Sequence, residues 1–293
     1  RTKTCSTRSS PASALGSDGH VGGWEYKGVG VRALTVRTCR PYATTPKPTR
    51  PSHVTNTTDF TAMPLPPGSK RSRPRVKICC ISSVEEARMA VRHGADALGL
   101  VSEMPSGPGV IDEDAIAQIA GAIPPPIATF LLTSSQDPDE IIAQQKRCGA
   151  NTLQLVDVQE PSTYARVREA LPGVALVQVV HVTGDASVEE AEALAPHVDA
   201  LLLDSGNPDA TVKELGGTGR THDWAVSQQI RQRVDVPVFL AGGLHAENVG
   251  AAVGQVQPFG VDLCSGVRAD GELDEAKLRR FMRAVRSSAT STP

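Results

Sequence analysis

Residues 76–101 read "VKICCISSVEEARMAVRHGADALGLV", and this stretch holds a strand, a helix and a second strand in turn. "VKICCI" (76–81) is an apolar run too short to be a helix. "SVEEARMAVRHG" spaces its apolar residues along one helical face and ends on Gly94, which suits a left-handed C-terminal cap. "ALGLV" (97–101) is apolar throughout. Strands with no polar alternation, separated by helices, are buried on both faces, as in a parallel sheet.

The same unit recurs down the chain. Further strands are expected at "IATFLL" (127–132), "TLQLV" (152–156), "ALVQVV" (175–180), "ALLLD" (200–204), "VFLAG" (238–242) and "GVDLC" (260–264). Helical patterns such as "PDEIIAQQKRCG" and "DEAKLRRFMRAVR" follow them. Asp112 and Asp137 are expected N-caps, and Gly149 closes a helix as Gly94 does. Eight units in about 210 residues match a closed barrel. An open doubly wound sheet is the alternative, but it carries a glycine fingerprint after its first strand, and no G-x-G-x-x-G follows "VKICCI". The expected fold is therefore α/β, a (β/α)8 TIM barrel over 75–287 with a short tail at 288–293.

A different kind of sequence precedes it. Residues 1–74 are rich in Arg, Ser, Thr and Pro and show no sustained apolar period, so they cannot bury enough surface to offset ordering. Residues 1–75 hold 13 of the 30 Lys and Arg but 3 of the 32 Asp and Glu; the remainder holds 17 against 29. A basic, acid-poor leader fits a transit peptide to a plastid or other organelle, or a disordered tail, or translated upstream sequence. The missing initiator Met implies a fragment or a misplaced start. Otherwise the expected location is cytoplasmic. "SKRSRPR" lacks an aromatic platform, so no nucleic-acid partner is expected. No apolar run approaches the roughly 20 residues of a membrane span.

The six cysteines, Cys5, Cys39, Cys79, Cys80, Cys148 and Cys264, show no C-x-x-C spacing and no zinc-finger partner, so no metal is expected. Cys79 and Cys80 end the first strand. Alternation along a strand sends them to opposite sides, one into the barrel and the other toward the helices. Asp204 ends the sixth strand, where desolvation would raise its pKa and suit it to proton donation; capping the next loop is the alternative. In such barrels chemistry gathers at the C-terminal strand ends, and phosphate binds the loops after strands seven and eight. Those loops are "AGGLHAENV", with Gly242 and Gly243 before a helix opening near His245, and "CSGV", with Ser265 and Gly266. Their freed amides form an anion seat. "GGTGRTHDW" (216–224) adds a third glycine-rich loop with Gly217 and Gly219. His181, ending strand five, points at the same mouth, as a substrate contact or a solvated loop residue.

Taken in order, "VKICCI", "LLLDS", "GGTGRTHDW", "AGGLHAENV" and "PFGVDLCSGV" resemble the phosphoribosylanthranilate isomerase family, aldose–ketose isomerases of tryptophan biosynthesis. The resemblance spans roughly 75–286. It implies an Amadori rearrangement of a phosphorylated sugar-amine, with Cys79 as general base, Asp204 as general acid and Gly242, Gly243, Ser265 and Gly266 around the phosphate. It implies no cofactor, and a monomer or homodimer. Three positions depart from the family pattern. The S-x-R motif after strand two, whose arginine takes the anthranilate carboxylate, is replaced by "SEMPSGPGVIDEDA", and no Arg or Lys occurs between His93 and Lys146. Ser106, Gly107 and Gly109 of this loop offer backbone amides instead. "QLVD" stands for Q-L-H-G after strand four, and Cys80 for a glycine after the motif cysteine. These changes leave two alternatives to the family reaction: a barrel acting on another phosphorylated aminosugar, or a non-catalytic sugar-phosphate binder.

Overall fold

The computed structural model describes residues 73–206 and 219–288. The leader expected over 1–74, apart from Arg73 and Pro74, lies outside them, as do Gly217 and the tail beyond Ser288. Eight parallel strands close into a barrel in sequence order: β1 (Arg75–Ile78), β2 (Ala97–Val101), β3 (Ala128–Thr133), β4 (Thr152–Leu155), β5 (Ala175–His181), β6 (Ala200–Asp204), β7 (Val238–Leu240) and β8 (Gly260–Leu263). The ring closes where β1 pairs with β8, Ile78 opposite Leu263. Between and after the strands run α1 (Val84–His93), α2 (Glu113–Ala122), α3 (Pro138–Cys148), α4 (Pro161–Ala170), α5 (Ala186–Leu194), α6 (Trp224–Arg233), α7 (Val249–Val256) and α8 (Glu275–Ser288). Among the described residues no helix is long and apolar enough to cross a membrane.

The helix ends follow local chemistry. Ser83, Asp112 and Asp137 cap α1, α2 and α3, each side chain accepting from a backbone N–H in the first turn. Gly94 and Gly149 end α1 and α3 at φ of 97° and 66°, where a side chain would be strained. Arg73 already belongs to the folded part, since its guanidinium pairs with Asp96.

Strand alternation sorts the core into two. Val76, Ile78, Leu98, Leu100, Leu201 and Leu203 pack outward with the helices. The opposite positions, such as Val101, Phe130, Leu132, Val179, Leu202 and Phe239, fill the barrel interior. That filling is a packed layer of side chains, and it leaves polar residues on inward positions to set the chemistry. The most buried of them is Lys77, fully enclosed, with Nζ 2.9 Å from Asp262 Oδ2 across the β1–β8 seam.

Candidate active site

At the C-terminal end of the barrel lies a cavity. Cys79 and Asp204 both line it, with Gly242, Gly243 and Ser265. Of the expected loop residues, Ser106, Gly107 and Gly219 line it too. Gly109 and Gly266 sit behind its wall and shape it by what they lack. A Cβ on Gly109 would lie 2.4 Å from Cys80 Cβ, and one on Gly266 would lie 2.1 Å from the Leu244 carbonyl oxygen.

The two adjacent cysteines do not part as strand alternation predicts. β1 stops at Ile78, and Cys80 takes a left-handed φ of 62°, so both thiols turn into the interior cluster and both line the cavity. This left-handed turn is the conformation a glycine adopts without strain. Cys80 occupies it against Gly109, which supplies the missing room. The Cys80 thiol is pushed well up by hydrogen bonding to Cys264 and to Cys79, and by burial. It stays protonated, and so it is no base. Cys264 is pulled down by the hydrogen bond from Cys80 and by the Arg268 guanidinium, against its own burial.

Cys79 has a different neighbourhood. Its N–H donates to the Leu263 carbonyl at 2.9 Å, which fixes the residue to the end of β8. Its Sγ would be 2.6 Å, and Lys77 Nζ 3.0 Å, from a Cβ built on Gly99, so thiol and ammonium lie side by side over that glycine. Burial opposes the charge on Lys77, but Asp262 outweighs it and lifts the ammonium well above its usual range, so it remains a cation. Substituting Gly99→Ala should displace Cys79 and lower kcat/KM by about 100-fold with the fold retained, which steady-state kinetics and circular dichroism would check together.

Asp204 ends β6 opposite His181 of β5 in register. Burial pushes its carboxyl above the ordinary range, only partly offset by the Ser205 N–H, which donates to Oδ1 at 2.8 Å, and by His181. A carboxyl that burial makes hold its proton more tightly suits the role of proton donor. His181 itself is neither solvated nor a cavity residue. It is 5% exposed, and its Nε2 donates to the Val156 carbonyl at 3.0 Å. His222 also turns inward, its Nε2 2.6 Å from Ser227 Oγ, and burial lowers its pKa to about 4.

The loops after β7 and β8 present backbone donors. The amides of Gly242, Gly243, Ser265 and Gly266 donate to no backbone partner among the described residues. Gly242 and Gly243 have φ of 81° and 59°, and a Cβ on Gly243 would lie 2.7 Å from the Arg220 backbone. The helix expected near His245 begins later, at Val249, after a turn in which the His245 N–H donates to Asn248 Oδ1. Glu86 ties the thiol loop to this side: it accepts from Ser82, Leu273 and Arg268, and Arg268 also donates to the Cys80 carbonyl. Among the described residues no group of three or more His, Cys, Asp or Glu is arranged to hold a metal ion.

Sequence reasoning passed over three polar residues that line the cavity: Gln154, Asp262 and Cys264. Each stands on an inward position of an otherwise apolar run, and that is the signal by which they could have been found.

The comparisons with known proteins agree with this geometry. The family model for N-(5'-phosphoribosyl)anthranilate isomerase matches residues 76–284. The isomerase of Methanocella arvoryzae is 33% identical over 213 residues, covering 72% of this chain and 98% of the relative. That of Halobacterium salinarum is 36% identical over 221 residues, covering 75% and 98%. The phosphoribosylanthranilate isomerase structure from Thermotoga maritima superposes with a TM-score of 0.64 at 29% identity, covering 73% of this chain and 99% of that one. A phosphoribosylanthranilate isomerase solved in complex with reduced 1-(o-carboxyphenylamino)-1-deoxyribulose 5-phosphate superposes at 0.62 with 27% identity, covering 73% and 99%.

Proposed function

The chain belongs to the N-(5'-phosphoribosyl)anthranilate isomerase family, and from that premise we propose that it isomerises N-(5-phosphoribosyl)anthranilate to the 1-amino-1-deoxyribulose 5-phosphate. The observation that carries this reading is a thiol and a carboxyl, the carboxyl raised by burial, lining one cavity beside the glycine-rich loops after β7 and β8.

The roles follow from protonation state and place. Gly242, Gly243, Ser265 and Gly266 hold the phosphate through amide N–H groups, which suit an anion and need no side chain. Asp204 gives its proton to the ring oxygen while the nitrogen lone pair forms C1=N and the C1–O bond breaks. Cys79, beside the Lys77 ammonium, takes the proton from C2. The C2–H electron pair becomes C1=C2, and the C=N pair returns to nitrogen. The enol then loses its hydroxyl proton, C1 gains one, and the ketose results. Cys80, kept protonated, does not compete for the C2 proton.

The carboxylate end of the substrate meets the loop after β2. Ser106, Gly107 and Pro108 line that side of the cavity, and Gly107 has a φ of 110°. In our reading the backbone amides of this loop take the carboxylate in place of an arginine. The family substrate is favoured over another phosphorylated aminosugar because the matching family model and the relatives at 33% and 36% identity are N-(5'-phosphoribosyl)anthranilate isomerases. The protein acts in the cytoplasm, as a monomer or a homodimer; a Thermotoga maritima relative is described as dimeric and has also been solved as monomers generated from it.

Running the reaction in deuterium oxide tests the proton route. The product should carry one non-exchangeable deuterium at C1 by mass spectrometry after borohydride trapping. A ketose product with no deuterium at C1 in every turnover would rule out a thiol that exchanges with solvent, and loss of substrate without ketose would sink the isomerase reading.

A further inference from the structure

A buried oxygen without a hydrogen-bond partner is uncommon in a folded chain, since it forfeits its hydration and gains nothing in return. Two such oxygens belong to residues that line the cavity. Gln154 on β4 is 3% exposed and Asp262 on β8 is 6% exposed; Gln154 Oε1 and Asp262 Oδ1 have no hydrogen-bond partner among the described residues. The strands are four places apart in the ring of eight, so these acceptors approach the cavity from opposite walls. Asp262 Oδ2 is occupied by Lys77 Nζ at 2.9 Å, which fixes the carboxylate and leaves one oxygen over.

Chemistry narrows what completes them. A carboxylate beside a buried ammonium accepts and does not donate, and a carbonyl oxygen only accepts. The missing partners are therefore donors. The cavity already has a seat for phosphate on the β7–β8 side and, facing it, the thiol and carboxyl that work on C1 and C2. What lies between those points in a phosphoribosyl-amine is the ribose, whose hydroxyls are donors. We propose that Gln154 and Asp262 form the sugar-hydroxyl subsite of the cavity, each accepting an O–H from the ribose. The assignment rests on the isomerase reading above. Lys77 is a positioning residue in it, holding Asp262 oriented through the 2.9 Å contact to Oδ2. The subsite also makes the cavity selective: a deoxy sugar phosphate would leave one of these oxygens unpaired, and sites built to bind a hydroxyl reject the analogue lacking it most strongly.

The groups facing this floor are Cys79 and Lys77 of β1, Asp204 of β6, His181 beside it on β5, and Cys264 with Arg268 after β8. None of them closes either orphan oxygen.

Calorimetric titration of the full chain with two probes tests the subsite. The probes are reduced 1-(o-carboxyphenylamino)-1-deoxyribulose 5-phosphate and inorganic phosphate. In Gln154→Leu the Kd of the reduced sugar phosphate should rise about 10-fold or more while that of phosphate stays unchanged. The thermal midpoint of the unliganded variant should rise at the same time, because a desolvated oxygen has been removed; a purely structural glutamine would move it the other way. Asp262→Asn would strand Lys77 in the core, so the paired change Lys77→Met with Asp262→Leu is used, which keeps the volume and removes both charges. It should fold, bind phosphate as before and lose affinity for the sugar phosphate by a similar factor. Unchanged binding of the sugar phosphate by both variants would overturn the subsite while leaving the isomerase reading intact. No binding of it by the unaltered chain would overturn that reading and the subsite together.

Discussion

Replacing Asp204 with Asn is expected to lower kcat by about 10²–10⁴-fold, the usual worth of a positioned general acid, and to leave phosphate binding unchanged. Cys79→Ala should do the same, and the two together should cost no more than the worse of them, because both serve one proton-transfer sequence. The acid variant carries a second signature. Burial holds the Asp204 carboxyl above its unfolded value, which is about 3.9. A group raised in this way supports the fold fully below the unfolded pKa and loses that support as pH climbs through the folded pKa. Asn has no proton to lose. Asp204→Asn should therefore become more stable relative to the unaltered chain as pH rises from 4 to 8, read as diverging urea midpoints. Midpoints that stay parallel over this range would show that Asp204 ionises as it would in water, and its role as acid would go with that.

The second large effect is expected at Gly266. An added Cβ would sit 2.1 Å from the Leu244 carbonyl oxygen, 3.2 Å from its carbon and 3.3 Å from His245 Cα. All three are backbone atoms, so the loop after β8 must swing away from the loop after β7. The amides that hold phosphate would then separate. Gly266→Ala should raise KM by about 100-fold, with a much smaller change in kcat, since displacement of a binding group by about 1 Å is enough for such a loss. Gly121→Ala is the contrasting case. Nothing lies within 4 Å of its Cβ position on α2, and it should be silent in kinetics while gaining about 0.5–1 kcal/mol of stability in chemical denaturation.

The barrel was legible because each strand is a local apolar run and each helix carries its own punctuation. The starts and ends of β2, β4, β5, β6 and β8 fall within a residue or so of the runs read from the sequence. Cys79 and Asp204 were legible for the same reason, as strand-end residues of a fold whose chemistry lies at strand ends. What the sequence hid depends on geometry between strands. The parity rule fails for Cys80 because the strand has already ended and the backbone has turned left-handed. That turn is visible only once Gly109 and Cys80 are seen in contact. The Lys77–Asp262 pair joins residues 185 positions apart, across a seam that exists only when the barrel closes. His181 looked like a mouth residue, but the Val156 carbonyl of the neighbouring strand end claims its ring. α7 starts later than expected, after a turn at His245–Asn248 in which the Asn248 side chain accepts the His245 N–H, a contact that the run of residues does not reveal.

The most direct test of Cys79 as the base follows the fluorescence of the anthranilate moiety when N-(5-phosphoribosyl)anthranilate is mixed with the full chain and with its Cys79→Ala variant. A catalysed fluorescence change is expected with the unaltered chain, falling by at least about 100-fold in the variant, while phosphate still protects both against thermal unfolding. Equal rates in the two proteins would contradict it, because the thiol that the barrel places between Lys77 and the cavity would then take no part in the reaction.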